Sequence, residues 1–224
     1  MFEAKNEEKK VEYLELIYDL IFVYLIGRNS SLVGHAVDGF INWEMFLTFA
    51  LCSLIVIQIW NLSTFYINRY GNNGIRDHIW IFINMYLLYY MADATRTDWR
   101  DEYIKYNAAW CLILINIGVQ YLITLKKTQK EAPWEAKQIK WNILELFIQA
   151  ALVSLSIPVY ELTGIPLAPA AMVFGIVFTA FSGRIHSLVA VDFAHLSERA
   201  MLYVVFTFGE MIIAIAKARD ELNR

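Results

Sequence analysis

The sequence predicts an all-α protein, a polytopic transmembrane helical bundle of about seven helices, with six to eight as the range. Of its 224 residues, 58% are hydrophobic, 15% aromatic and only 18% charged, and the mean hydropathy is +0.42. A soluble domain carries roughly 25% charged residues. The apolar residues also form separate stretches near the roughly 20 residues that a helix needs to cross the hydrocarbon core. We therefore expect a single integral membrane domain over 1–224.

The predicted helices follow these apolar stretches in order. They lie near 14–33, 45–65, 78–94, 107–125, 141–160, 166–185 and 198–218. The third stretch is short and rich in aromatic residues, so a bundle of six spans is the alternative. Tryptophans cluster near several predicted ends, which is typical of the membrane interface.

The predicted connections have the composition of loops outside the hydrocarbon. GNNG at 71–74 is a turn signal, the segment 95–103 mixes acids and bases, and the segment 126–140 is basic. Pro166 and Pro169 lie where the sixth helix starts, a position that tolerates proline.

The distribution of lysine and arginine predicts the orientation. When the seven predicted helices alternate, eleven of the nineteen fall on the side of the amino terminus and seven on the opposite side, and Arg199, at a helix start, is counted on neither. Positively charged loops remain in the cytoplasm. We expect a protein of the cytoplasmic membrane with a cytoplasmic amino terminus, and no cleavable signal peptide.

Several function classes are disfavoured. The chain has no basic patch for nucleic acid, and Cys52 and Cys111 lie in apolar runs, where a thiol behaves as a small hydrophobe. No H-E-x-x-H, G-x-S-x-G or Cys-His spacing indicates an enzyme. We expect no catalytic site, no metal and no cofactor.

The first helix, in VEYLELIYDLIFVYLIG at 11–27, carries three acids on one face. Glu12, Glu15 and Asp19 are spaced i, i+3 and i+7. An ionised side chain at the bilayer centre is costly, so such acids normally face water or a countercharge. One interpretation is a relay for protons or cations. The other places Glu12 and Glu15 at the headgroup level, near the positive end of the helix dipole, with Asp19 alone buried and paired.

A second concentration of charge lies at 191–216. Asp192, His195 and Arg199 share one face if the helix begins early, and Ser197 is a candidate cap before Glu198. We expect His195 to be a hydrogen-bonded structural residue, not a metal ligand. Glu210 lies mid-helix beside Gly209, which predicts close approach of a neighbouring helix there.

The buried acids need countercharges. Arg28, Arg184 and Arg199 lie near the ends of predicted helices, and we expect Arg199 to pair with Asp19 or Glu15. Glu145 is a further mid-helix acid. A set of amides can form hydrogen bonds between helices: Gln58, Asn61, Asn84, Asn116, Gln120 and Gln149.

At both charged stretches the sequence resembles the bacterial low temperature requirement A family, LtrA. The segment 11–27 is similar to that family's opening ELFFDLVFV-type helix, and HLSERAMLYVVFTFGEMIIAIA at 195–216 is similar to its H-L-x-E-R…G-E-x-I helix. The residues 66–94 resemble the family segment between its second and third helices. The resemblance implies a membrane protein linked by name to growth in the cold, without a mechanism.

Two departures from the family pattern stand out. Met211 replaces the Ser that often follows G-E, and family members usually continue for several helices beyond this point. A short form, a truncated product and a homo-oligomer that completes itself with a second copy are the three explanations.

Two functions follow as hypotheses. In the first, the protein is a transporter or channel for protons or small cations that uses buried acids. In the second, it is a non-transporting structural or stress-response protein whose acids pair with arginines to fix helix packing. The candidate residues are Glu15, Asp19, Glu198, Arg199, Glu210 and His195.

Overall fold

The computed structural model describes residues 10–30, 32, 43–95, 99–186 and 189–222. These residues form helices without a strand, which confirms the all-α class. The helices are α1 (Tyr13–Ser30), α2 (Trp43–Tyr70), α3 (Ile75–Asp93), α4 (Trp99–Glu131), α5 (Pro133–Thr163), α6 (Ala168–Phe181), α7 (Gly183–His186) and α8 (Phe193–Leu222). The side chain of Arg184, a predicted countercharge, lies outside the described part of the chain.

The connections differ most from expectation around α4 and α5. The basic segment 126–140 is not a loop, because α4 continues to Glu131 and α5 begins at Pro133. Lysine, glutamine and glutamate are good helix formers, so charge alone does not end a helix. The break falls at Ala132 because Pro133, at the start of α5, has no N–H to continue the ladder of α4. The predicted stretch 166–185 also divides, into α6 and the short α7.

Helices α1 and α8 lie side by side and run in the same direction. Glu15 contacts His195 and Asp19 contacts Arg199, so the residue numbers of the contacting pairs increase together. Helix α3 is also parallel to α1. Asn73, just before α3, donates to Glu12, and near the other end the rings of Tyr24 and Tyr89 stack. The three helices thus begin at the same end of the bundle.

Helix α2 runs in the opposite direction. Asn68 contacts His195, and Trp60 stacks on Tyr203. Along these contacts the residue numbers rise in α8 and fall in α2.

Helices α4, α5 and α6 continue this alternation. Tyr106 donates to Cys52 and Tyr66 donates to Gln120, which makes α4 parallel to α2. The rings of Tyr103 and Tyr160 stack while Cys111 contacts Ala150, which makes α5 antiparallel to α4. Glu145 contacts Thr179 and Gln149 lies against Gly175, which makes α6 antiparallel to α5. The long helices therefore run up and down alternately in chain order.

The side chains are distributed as in a membrane protein. Large apolar residues cover the outside of the bundle, among them Ile17, Leu20, Phe82, Val205 and Phe208. Glutamate, aspartate, arginine, histidine and glutamine side chains are buried inside. This arrangement suits a hydrocarbon solvent, which accepts apolar surface and excludes unpaired charge.

Three described helical stretches are long and apolar enough to cross a membrane on length and composition. They are Trp43–Tyr70, Glu102–Gln129 and Pro133–Thr163. Helix α6 is apolar but has 14 residues. Helices α1, α3 and α8 contain several ionisable residues, so their apolar character is less than that of α2.

Candidate functional site

Four ionisable side chains meet between α1 and α8. Glu15 and Asp19 come from α1, and His195 and Arg199 come from α8. Each pair is spaced i, i+4, which places both members on one helix face. Because α1 and α8 are parallel, the equal spacing sets each acid opposite one base. We call these four residues the acid–base cluster, and every one of them is at most 1% exposed.

Asp19 and Arg199 form the better-bonded half of the cluster. Arg199 Nε donates to Asp19 Oδ2 at 2.9 Å and its Nη2 donates to Oδ1 at 2.5 Å. This two-point geometry is the strong form of an arginine–carboxylate pair. Trp60 Nε1 of α2 also donates to Asp19 Oδ1, at 2.8 Å. The carboxylate of Asp19 thus accepts three hydrogen bonds from protein side chains.

Glu15 forms the other half, with looser contacts to the arginine. Its Oε2 lies 2.7 Å from His195 Nε2 and 3.5 Å from Arg199 Nη1. The guanidinium therefore attracts both acids, although its hydrogen bonds go to Asp19. Sequence spacing left open whether Arg199 meets Asp19 or Glu15, and the structure brings it close to both.

The contacts of Asn68 determine the protonation of His195. Asn68 Oδ1 accepts from the Asp192 backbone N–H at 3.0 Å, and Asn68 Nδ2 donates to the Asp192 carbonyl at 2.9 Å, which fixes the amide orientation. The same Nδ2 lies 3.0 Å from His195 Nδ1. An amide nitrogen only donates, so Nδ1 must accept. His195 is then the neutral tautomer with its proton on Nε2, which donates to Glu15.

It follows that the acid–base cluster holds two carboxylates against one guanidinium. With His195 neutral, the four side chains carry one net negative charge when both acids are ionised. An uncompensated buried charge is costly. A cation or proton bound at Glu15 would remove the imbalance without disturbing the Asp19 pair.

A narrow cavity leads to Glu15 from the end of the bundle where α1 and α3 begin. It is lined by Glu12, Glu15, Asn73, Asp77 and His78, among other residues, and has a volume of about 10 Å³. That is room for about one water molecule. Glu12 is exposed at its mouth and accepts from Asn73 Nδ2 at 3.1 Å. Glu15 is therefore the member of the cluster that lies next to solvent-accessible space.

The opposite side of the cluster is closed by aromatic side chains. The ring of Trp60 stacks on that of Tyr203, one turn beyond Arg199, with 4.8 Å between centroids. Tyr18 and Phe22, on α1, are fully buried and pack edge to face. Phe22 and Tyr203 thus lie about one helical turn beyond Asp19 and Arg199, in the direction away from the cavity.

The remaining predicted site residues lie apart from the cluster. Glu198 is exposed on the outer side of α8. Glu210 is half-buried, and its side chain lies against Gly27 of α1, where an added Cβ would be 2.6 Å from Glu210 Oε1. At Gly209 an added Cβ would meet no atom of the described residues within 4 Å. The prediction that Gly209 permits close helix approach is wrong, because the close contact is at Gly27.

The start of α8 also differs from expectation. The helix begins at Phe193, five residues before the predicted start at 198. Asp192 Oδ1 accepts the backbone N–H of His195 at 3.1 Å, which is the bond of a helix N-cap. The proposed cap at Ser197 is therefore wrong, since Ser197 lies inside the helix. The early start places His195 and Arg199 on the same continuous helix.

A family comparison covers nearly the whole of this arrangement. The model of the family described as bacterial low temperature requirement A protein (LtrA) matches residues 10–223. The chain belongs to the LtrA family. Comparisons with curated proteins and with solved structures give no match.

Two residues of this LtrA protein's site escaped sequence reasoning. Trp60 lies within the apolar stretch 45–65 and Asn68 lies just beyond it, and neither was among the predicted candidates. The sequence contained one indication of a role for Asn68, because it is an amide next to Arg69, close to the end of α2. Four of the six amides predicted to bond between helices do so, whereas Gln120 bonds to Asn116 within α4 and Asn61 is exposed. Asn116 Nδ2 donates to Asn84 Oδ1 at 2.7 Å, and Gln149 Nε2 donates to Gln58 Oε1 at 2.8 Å.

Proposed function

We propose that this LtrA protein is a multi-pass protein of the cytoplasmic membrane that moves protons, with Glu15 as the proton-binding residue. The observation that carries the proposal is the buried acid–base cluster, in which two acids share one arginine and a narrow cavity joins Glu15 to one end of the bundle. Ionisable residues inside a membrane bundle are costly and are typical of ion and proton pathways.

Seven membrane crossings are the topology that the helix directions favour. The long helices alternate in direction from α1 to α6, and α8 is again parallel to α1. Helices α1, α3 and α8 are less apolar than α2, yet Glu15, Asp19 and Arg199 are buried against one another and need not meet lipid. The shorter α6 suits a locally thinner bilayer or a partner helix that covers it.

The positive charges favour a cytoplasmic position for the end where α1 begins. Lys126, Lys127, Lys137 and Lys140 lie where α4 ends and α5 begins, at that same end. Positive residues concentrate on the cytoplasmic side of membrane proteins. In this orientation, the cavity beside Glu15 opens towards the cytoplasm.

Proton binding at Glu15 would change the forces between α1 and α8. A neutral Glu15 no longer attracts Arg199 or accepts a charge-assisted bond from His195. Among the residues that the structure describes, the charged and titratable groups around Glu15 include Glu12 and Asp19 on α1, Tyr66 on α2, Asp77 and His78 on α3, and Asp192, His195 and Arg199 on α8. Release to the far side would require Trp60 and Tyr203 to separate.

Proton flux into dye-loaded proteoliposomes tests the proposal. The parent protein is expected to acidify the lumen faster than protein-free liposomes under an inward proton gradient, and Glu15→Gln to abolish the difference. Glu198→Gln is the matched control, because it neutralises an exposed acid on α8. No flux from folded parent protein, or equal flux from Glu15→Gln, would refute proton movement through Glu15.

A non-transporting role is the second candidate, and the Asp19–Arg199 pair favours it. Asp19 is fully buried, bonded to Arg199 and Trp60, and absent from the lining of the cavity beside Glu15. A buried pair of this kind, in which the acid accepts hydrogen bonds from two protein side chains, fixes the register of α1 against α8. On this hypothesis the parent protein conducts no protons, and loss of the pair lowers stability alone.

A further inference from the structure

A second cavity lies away from the acid–base cluster, between α2, α5 and α6. Its volume is about 520 Å³, within the roughly 300–1,000 Å³ of small-molecule sites. Leu54 and Arg69 mark its two ends along α2. Fifteen residues of helix separate them, so the cleft is about 22 Å long.

The cleft opens sideways, towards the surroundings of the bundle. Leu54, Ile57 and Ile176 line it and are 44%, 38% and 46% exposed. These residues belong to the apolar outer surface that faces lipid. A molecule would therefore enter from the bilayer, and its exposed part must be apolar.

The inner wall of the cleft presents hydrogen-bond acceptors. Glu145 is 1% exposed, and its Oε1 accepts from Thr179 Oγ1 at 2.6 Å. Asn142, one turn before it, is 5% exposed, and its Oδ1 accepts no hydrogen bond from the residues that the structure describes. A buried acceptor without a donor is costly. A carboxylate and an amide oxygen on the same wall suit a ligand that donates hydrogen bonds and carries positive charge.

The position of Arg69 determines how a bound cation would be oriented in the cleft. Gln149 of α5 bonds to Gln58 of α2. Glu145 precedes Gln149 by one turn, and α5 and α2 run in opposite directions. Glu145 therefore lies about one turn nearer to Arg69 than the two glutamines do. Arg69 remains about 10 Å further along α2, where its guanidinium lies 5.2 Å from the centre of the Phe65 ring. A cation held by Glu145 would therefore extend its apolar part away from Arg69, towards Leu54.

We propose that this cleft binds an amphipathic organic amine from the bilayer. Its ammonium group donates hydrogen bonds to Glu145 and to Asn142 Oδ1, and its apolar body lies along Leu54, Ile57 and Ile176. The site is separate from the acid–base cluster and does not depend on proton movement through Glu15.

Fluorescence binding to the full chain in phosphatidylcholine nanodiscs tests this site. The probe is dansylcadaverine, a dansyl fluorophore on a short alkyl primary amine, compared with its neutral N-acetyl derivative and with a dansyl alkyl carboxylate of the same length. Signal from empty nanodiscs is subtracted. The amine is expected to bind most tightly, and Glu145→Gln to weaken it by roughly tenfold to a hundredfold while the N-acetyl derivative changes little.

A second variant tests the position of the apolar body. Ile176→Trp places a larger side chain in the cleft and is expected to weaken both the amine and its N-acetyl derivative. Ile79→Trp is the matched control, because Ile79 is exposed on α3 and does not line the cleft. Equal affinity for the three probes, preference for the carboxylate, or amine binding that survives both Glu145→Gln and Ile176→Trp would overturn the proposal.

Discussion

Replacing Arg199 with methionine is expected to lower the free energy of unfolding by about 3–5 kcal/mol. Arg199 is fully buried and is the only base that bonds to Asp19 among the described residues. Without it, two carboxylates remain inside the bundle with no guanidinium. The midpoint of thermal unfolding in detergent or nanodiscs measures the loss.

Two further variants separate this effect from a general loss of charge. Arg76→Met removes an arginine whose side chain is 55% exposed beside Asp77, and is expected to cost no more than about 1 kcal/mol. The double variant Asp19→Asn with Arg199→Met removes both charges and leaves an acceptor for Trp60. It should be more stable than Arg199→Met alone. Equal instability of the single and double variants would contradict the pairing.

Gly175→Ala is expected to destabilise the contact of α6 with α2 and α5 by about 1–3 kcal/mol. A Cβ at this position would overlap Gln58 Nε2 and lie 2.8 and 2.9 Å from the two amide atoms of Gln149. Both glutamines are buried and bonded to each other, so their side chains have little freedom to move. The unfolding midpoint again measures the effect.

Gly209→Ala provides the matched comparison for Gly175. It lies within α8, where an added Cβ has no neighbour within 4 Å in the part of the chain that the structure describes. Alanine has the higher helix propensity, so this variant should be unchanged or stabilised by up to about 1 kcal/mol. If the two alanine variants are equally stable, the close packing at Gly175 is not a constraint.

The polar residues that share one helix were predictable from spacing. Glu15 and Asp19 follow the helical repeat, and so do His195 and Arg199, which made one polar face on each helix visible in the sequence. Their mutual alignment was not visible, because it depends on α1 and α8 being neighbours and parallel. That choice is made by packing across 180 residues of chain.

Glu210 illustrates where local reasoning fails. Because its sequence neighbours are apolar, Glu210 was predicted to be an acid in the middle of a membrane helix. Gly209 was predicted to be the point where a neighbouring helix approaches α8. The direction of the side chain is instead set by α1, where Gly27 provides the space. Which glycine faces a neighbouring helix depends on the rotation of α8 about its axis, and the sequence of α8 alone does not determine that rotation.

The helix boundaries, too, were only partly predictable from the sequence. Composition located the apolar centre of α4 and α5, because hydropathy reports burial in lipid. Composition did not predict the polar ends of these two helices, which extend beyond the apolar stretch. Pro133 marks the point where α4 and α5 are separated, whereas the lysines around it suggested a longer loop.

Infrared difference spectroscopy of the protein in liposomes, recorded between acidic and neutral pH, tests proton binding at Glu15 most directly. We predict a carboxylic-acid band that appears on acidification, is lost in Glu15→Gln and persists in Glu198→Gln. The same band in Glu15→Gln, or no pH-dependent band from a buried carboxyl group, would contradict proton exchange at Glu15 and leave the acid–base cluster with a packing role alone.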